Sequence, residues 1–403
     1  MIVGGGIGGA VLALLLGRQG HRVVVLERDA TPSGIGRPEV LARSTLQVFE
    51  QLGLRLRMMQ DAVVPLQRME LRQAGGRRLV EFTQDDFRRA GVQPYSTDPV
   101  RTRQILLEAA ASTHAVEVRR GVEVQTLLRD GARITGVRAV GGTAPFSWGA
   151  RLVVGDDGGC SRVREALGIP LAVREFAVDF LAAAGPALPG HEAGVGQAWL
   201  EPRGLRRGIF GAVFMPLPGE RTALAFLLSP AAYRRYAAGA PSRFYEAAAR
   251  LAPRCEGLRR VHRFPEGLAH LRRPFGHAPR YVGDGVALMG DAAHPVTPAG
   301  GQGANMSVAD AVALAGVAHD ALARGDCSAR HLQAYETQRR PANDRSVQIS
   351  ARTQWVLRGL GALPWLAVFL PRFLMRVNRR ETKDRLLRAV SQAFVSSATP
   401  AAG

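Results

Sequence analysis

Residues 1–28, MIVGGGIGGAVLALLLGRQGHRVVVLER, read as a strand, a glycine turn, an apolar helix and a second strand. This βαβ order decides the fold. Gly4, Gly6 and Gly9 fit G-x-G-x-x-G: one glycine for the tight turn, one for close backbone approach to a pyrophosphate, one for packing helix on strand. Glu27 closes the second strand, 18 residues after Gly9, where a carboxylate accepts hydrogen bonds from an adenosine ribose, and Arg28 follows as a further cofactor contact. Only Met1, Ile2 and Val3 precede the first glycine, whereas a strand has about five residues, so native residues upstream of Met1 or a late start are expected.

Beyond this unit the chain keeps the same logic. Arg37 stands at the mouth of a loop leading into an amphipathic segment and can reach an anionic cofactor. Residues 66–83 read as a hairpin turning at AGG, and VRTRQILLEAAAS as a helix with Arg101 and Arg103 at its start. Cations there oppose the helix dipole, so at least one has an anionic or carbonyl partner. Residues 115–156 alternate like strands that close onto the first sheet. They end in RLVVG, and DDGGCSRVR supplies a second glycine loop at a strand end. Residues 172–280 turn to strand alternation with Pro-Gly turns, the helical PAAYRRYAAGAPSRFYEAAARLA apart.

These observations give an α/β fold class: a Rossmann-like dinucleotide-binding domain with an inserted mixed β-sheet domain and a C-terminal helical segment. The expected division is a cofactor domain over 1–171 with a hairpin insertion at about 60–100, a substrate sheet over 172–280, a return to the cofactor domain over 281–345, and a helical cap over 346–403.

Composition narrows the function classes. The chain has 403 residues, 46% of them hydrophobic, enough for a large core. Its formal charge of +19 invites a nucleic-acid reading, but all basic residues except Lys383 are arginines spread along the whole chain. No basic stripe interleaved with aromatics stands out, so no nucleic-acid partner is expected. Three widely spaced cysteines indicate neither a disulfide framework nor a metal site, and with no signal peptide in view a cytoplasmic location is expected. No apolar run reaches the length of about 20 residues that spans a bilayer.

The stretch ALMGDAAHPVTPAGGQGAN, Ala287 to Asn305, carries the third signal. A buried strand ends in Asp291, a carboxylate suited to a polyol hydroxyl. After Pro295 and Pro298, small residues bring a helix N-terminus close to a flat ligand, and its N–H groups suit one that becomes anionic.

With GGGIGG plus Glu27, DGGCSRVR from Asp157 to Arg164, and GDAAHPVTPAGGQGAN from Gly290 to Asn305, the sequence resembles the FAD-dependent aromatic hydroxylases, the class A flavoprotein monooxygenases of the p-hydroxybenzoate hydroxylase type. The resemblance implies noncovalent FAD held by Gly4, Gly6, Gly9, Glu27, Arg28, Arg37, Arg103 (favoured over Arg101), Asp157, Gly158, Asp291, Gly303, Ala304 and Asn305. Pro298, Gly300 and Gly301 would lie at the flavin edge where chemistry occurs, with no side-chain acid or base assigned. His294 is read as structural. The implied reaction uses NAD(P)H as a transient cosubstrate and O2. Reduced flavin forms a C4a-hydroperoxide that hydroxylates or epoxidises an apolar aromatic, polyketide-like or quinone/isoprenoid-like molecule.

The alternative on the same scaffold is a prenyl reductase or another non-oxygenating flavoprotein; fold alone does not choose. Trp199, Phe210 and Phe214 stand at strand-like spacing as substrate contacts or as ordinary core. The tail from Thr353 to Phe394, with an apolar cluster around Trp355 and Trp365 followed by arginines, is expected to be a helical cap with at most weak peripheral membrane contact.

Overall fold

The computed structural model describes residues 1–31, 36–142, 144–172, 178–204, 208–239, 241–271, 275–298, 301–362 and 370–395. Strand β1 (Ile2–Val3) lies inside a six-stranded sheet, parallel to β2 (Val23–Glu27) on one side and β12 (Val153–Gly155) on the other. Beyond β2 lies β8 (Val116–Arg120); beyond β12 come β19 (Val286–Leu288) and, antiparallel at the edge, β18 (Val282–Gly283). The central strands are apolar runs because helices cover both faces of a parallel sheet. Helix α1 (Ile7–Arg18) is buried nearly all round, packed between α5 (Pro99–Ala111) and the long α10 (Gly303–Arg324). By length and composition α10 is apolar enough to cross a membrane, but here most of it is core.

Of the alternating strands in 115–156, only β8 and β12 join this sheet. β9 (Val122–Asp130), β10 (Arg133–Gly141) and β11 (Ala144–Gly149) form a separate antiparallel sheet of three. The short links between them favour antiparallel hairpin pairing with one another, since a parallel neighbour needs a crossover of about a dozen or more residues. The expectation that all of these strands close onto the first sheet is corrected accordingly.

The second large sheet has seven strands in the order β17 (Ala269–Leu271), β13 (Asp179–Pro186), β16 (Arg221–Leu228), β15 (Ile209–Leu217), β14 (Val195–Leu200), β5 (Arg68–Gln73), β6 (Arg78–Thr83). It is mixed, since β14 runs parallel to β5 while the other neighbours are antiparallel. The hairpin expected within the cofactor domain therefore completes the sheet of the following segment. One face packs on α7 (Pro230–Ala238), α8 (Pro241–Leu251) and α9 (Leu258–Val261), burying Trp199, Phe214, Phe226 and Phe244 in one cluster. Trp199 and Phe214 are thus core, not substrate contacts. Phe210 lies on the other face with Phe180, Ala182 and Ala225.

A small sheet, β3 (Glu39–Leu41), β7 (Tyr95–Thr97) and β4 (Val63–Pro65), joins the two large ones, with α2 (Arg43–Gln51) and α3 (Arg55–Asp61) beside it. α6 (Arg162–Ala166) follows β12. Helix α11 (Ala329–Ala362) runs beside α10. The chain then returns through α12 (Leu370–Val377) and α13 (Arg380–Val395) to the β5–β6 hairpin and α4 (Gln84–Ala90). Lys383 Nζ meets Asp86 Oδ2 at 3.1 Å, and Asn378 bridges Leu79 and Glu81 backbone at 3.3 Å. Trp355 is 77% exposed. The rest of the expected apolar cluster, Leu357 to Leu370, has side chains outside the described set.

Candidate functional site

A cavity of about 1140 Å³ opens where the carboxyl ends of β1, β2 and β12 meet. It is larger than the range of about 300–1,000 Å³ usual for small-ligand pockets. Its floor is the first glycine turn. Gly4 has φ +105°, and a Cβ there would lie 2.2 Å from the carbonyl oxygen of Asp156, so only glycine lets β12 approach. A Cβ on Gly9 would stand 2.4 Å from Gly4 O; Gly9 packs helix on strand and does not line the cavity.

At the end of β2, the buried Glu27 carboxylate accepts the Gly5 N–H through Oε2 and the Asp29 N–H through Oε1, both at 2.9 Å. It shapes the glycine turn as well as facing the cavity. Arg28 lines the rim, largely exposed. Arg37 also lines the cavity and pairs with buried Glu39 at 3.1 Å; that charge, then Asp291, makes its guanidinium still harder to deprotonate. The two arginines at the start of α5 part company. Arg101 turns away to Asp61 at 2.7 Å, whereas Arg103 lines the cavity with a buried Nη2 that has no hydrogen-bond partner.

The second glycine loop supplies Asp156, Asp157 and Gly158. Asp157 Oδ2 accepts the Val163 N–H at 3.1 Å, while buried Oδ1 has no partner. Burial raises the Asp157 carboxyl above its usual range against these hydrogen bonds. Arg164 is spent on structure: it donates 2.8 Å bonds to Gly159 O and Ala292 O, tying this loop to the third motif.

In the third motif Asp291, Gly303 and Ala304 line the cavity. Pro298 is exposed and, like Gly301, stands outside the lining; Gly301 (φ +63°) donates its N–H back to Pro298 O at 3.1 Å. Gly300 lies outside the described residues. Asn305, expected among the cofactor contacts, stands outside the cavity lining. Its Oδ1 accepts from Ala42 N and Thr45 Oγ1, and its Nδ2 donates to Val40 O and Gly301 O, so the amide ties α10 to β3 and α2.

Sequence reasoning missed three groups. Asp156 and Ser307 line the cavity, and Glu39 pairs with Arg37. Beneath the third motif lies a buried hub on Asp310. It accepts from Gly290 N at 3.0 Å, Arg339 Nε at 2.8 Å and Asn343 Nδ2 at 3.2 Å, and meets His294 Nε2 at 2.6 Å. Burial alone would raise this carboxyl, but His294 and Arg339 hold it well below the usual carboxylate range. His294 is thereby structural.

The donor set fits a dinucleotide with a polyol chain. A glycine cradle, a helix N-terminus, a partnerless buried guanidinium N–H and carboxylates facing a long cleft all meet in one place.

Residues 1–350 match the family model described as FAD binding domain. The chain belongs to that family. It is an FAD-dependent monooxygenase of the class A flavoprotein type. It is 28% identical to 6-methylpretetramide 4-monooxygenase of Streptomyces rimosus over 97% of this chain and 91% of that one. It is 32% identical to the 12-dehydrotetracycline 5-monooxygenase/anhydrotetracycline 6-monooxygenase of S. rimosus subsp. rimosus, over 85% of this chain and 66% of that protein. Among solved structures, PqsL of P. aeruginosa in complex with 2-aminobenzoylacetate superposes with a TM-score of 0.75 at 26% identity, covering 96% of this chain and 98% of that one.

Proposed function

We propose that this monooxygenase uses NAD(P)H and O2 to hydroxylate or epoxidise an apolar, polycyclic aromatic molecule of polyketide type. The observation that carries this reading is the face of the seven-stranded sheet turned away from α7, α8 and α9. Phe180, Ala182, Ala184, Phe210, Val213, Met215, Ala223 and Ala225 make it apolar. It leans on Val40, whose backbone touches the Gly301 turn and Asn305. A broad flat apolar ligand suits such a face beside the flavin-edge loop, and Arg221, at the end of the same face, is already paired with Asp98 at 2.7 Å. The named activities of the S. rimosus relatives support the same class.

Bound FAD supplies the redox and oxygen chemistry. The residues of this chain would position it: the first glycine turn and Arg103 would hold the pyrophosphate, Glu27 the adenosine ribose and Asp291 the ribityl chain. Gly303 and Ala304 would offer backbone N–H groups to the ring, with Pro298 and Gly301 near its reactive edge. No side-chain acid or base is assigned at the reacting carbon.

The test is turnover of a panel of polycyclic phenols with NADH or NADPH under 18O2. We expect substrate-stimulated NAD(P)H oxidation and one labelled oxygen in the product. NAD(P)H oxidation indifferent to every substrate, or a reduced product without label, would favour the non-oxygenating alternative.

Arg103 and Arg101 give a second check. Losing a charge-assisted hydrogen bond costs about 1.5–3 kcal/mol, so Arg103→Ala should weaken FAD binding roughly 10- to 140-fold. Arg101→Ala, which breaks only the pair with Asp61, should stay within a few-fold. Equal effects in flavin-fluorescence titrations would reject this assignment of Arg103.

A further inference from the structure

Asp156 occupies the point where all three glycine motifs meet. Its Oδ2 accepts the Gly9 N–H at 2.7 Å, in the first turn of α1, a helix whose own N-cap, Gly6, brings no side-chain cap. Its Oδ1 lies 3.3 Å from Ser307 Oγ on α10. A Cβ added at Gly6 or Gly9 would stand 3.0 Å from Oδ2, and one at Gly290 2.6 Å from Oδ1. The carboxyl is therefore wedged between α1, α10 and the turn that carries Asp291, and it faces the cavity.

The charges around it are mostly of its own sign. Burial is the largest effect and raises the Asp156 carboxyl well above its usual range; the Gly9 and Ser307 hydrogen bonds favour the anion, while Asp291 on the facing turn and the adjacent Asp157 repel it and add to the burial effect. Glu27 faces the cleft from β2. Of the cations that line the cavity, Arg164 is committed to two carbonyls, Arg37 to Glu39 and Arg162 to Glu165, and Arg28 stands largely exposed at the rim. Arg103 lines the same cavity and approaches Asp29 at 4.0 Å. α1 brings only backbone N–H groups, and α10 brings Ser307, which carries no charge.

We propose that Asp156 is a cofactor-positioning residue that holds FAD as a neutral carboxylic acid, so that FAD retention requires one proton on this side chain. The proposal rests on the FAD reading above. A neutral acid keeps both of its hydrogen bonds, one accepted from Gly9 and one shared with Ser307. It fixes the spacing of α1 and α10 without setting a third aspartate charge beside a pyrophosphate dianion. As pH rises and the proton leaves, repulsion opposes the cofactor. The dissociation constant of FAD should then rise with pH, by up to tenfold per pH unit for one linked proton.

The experiment is titration of the deflavinated protein with FAD across neutral and mildly alkaline pH, read by flavin fluorescence. Calorimetry in two buffers of different ionisation enthalpy counts the protons taken up. We expect uptake that climbs towards one proton as pH rises past the carboxyl's pKa in the flavin-free protein, a slope lost in Asp156→Asn with FAD still bound tightly, and a slope kept in Asp157→Asn. Should Asp156→Asn not fold, proton uptake by the wild type together with the slope of Asp157→Asn decides. FAD binding that is independent of pH, a slope that survives Asp156→Asn, or a slope that vanishes only in Asp157→Asn overturns the proposal and leaves the FAD reading intact. Failure to bind FAD at any pH overturns both.

Discussion

Gly4→Ala should lower FAD affinity roughly 30-fold to several-thousand-fold while the protein stays folded. A positive-φ backbone strains any L side chain by about 1–2 kcal/mol, and forcing a methyl into a filled space costs about 1–3 kcal/mol. The added methyl would sit 2.2 Å from the Asp156 carbonyl, so β12 and the glycine turn must separate. Without ligand the turn relaxes outward. With FAD bound, the pyrophosphate pins the turn from the other side, so the strain falls on the complex. At tenfold per 1.4 kcal/mol the loss follows. Gly20→Ala is the matched control. Gly20 also has a positive φ, +83°, but a Cβ there meets nothing within 4 Å. It should cost only about 1–2 kcal/mol of stability and leave FAD binding unchanged. A Gly4→Ala protein that binds FAD like the wild type would show that close strand approach does not shape the cradle.

That contrast also marks what a linear sequence can show. Gly4 was legible because the reasons for its glycine are local: a strand, a turn and a helix follow one another within 28 residues, and the spacing carries the geometry. The same holds for Asp157 and Asp291, each at a strand end beside glycines, whereas the 66–83 hairpin, read with the cofactor domain, belongs to the second sheet. Asp156 was not legible. It reads as half of an Asp-Asp pair in a loop, and its partners Gly9 and Ser307 lie 147 and 151 residues away. The parallel pairing of β5 with β14 was hidden for the same reason: nothing in RMELRQ says that its neighbour is VGQAWL, more than a hundred residues on. Aromatic spacing in β14 and β15 misled about Trp199 and Phe214, because alternation separates two faces without saying which is covered by helices. Gly301 and Asn305 were read in one motif leading into a helix, yet the Asn305 amide is consumed by four protein partners, a fact only the fold supplies.

Asp310→Ala, just beyond the third motif, should be strongly destabilising, by about 3–5 kcal/mol, the usual cost of removing one partner from a buried ion pair. Asp310 is fully buried within α10, and its carboxylate is met from three directions: the Gly290 N–H, the His294 ring, and Arg339 with Asn343 from α11. Removing it takes the carboxylate counter-charge from the buried Arg339 guanidinium, which keeps Asn343, and loosens the turn that aims Asp291 into the cavity. Two readouts should therefore move together, the denaturant midpoint and FAD affinity. pH gives an independent check. Because the folded carboxyl is depressed by His294 and Arg339 acting against burial, its contribution is present above the ordinary carboxylate pKa of about 4 and fades as pH falls below it. The wild type should lose this increment on acidification, and Asp310→Asn, which keeps the shape without the charge, should show a flatter acid limb. If Asp310→Ala unfolds within about 1 kcal/mol of the wild type, well under the cost of a stranded buried charge, the hub does not hold the flavin-side turn. The positioning of Asp291 would then rest on Arg164 and the backbone alone.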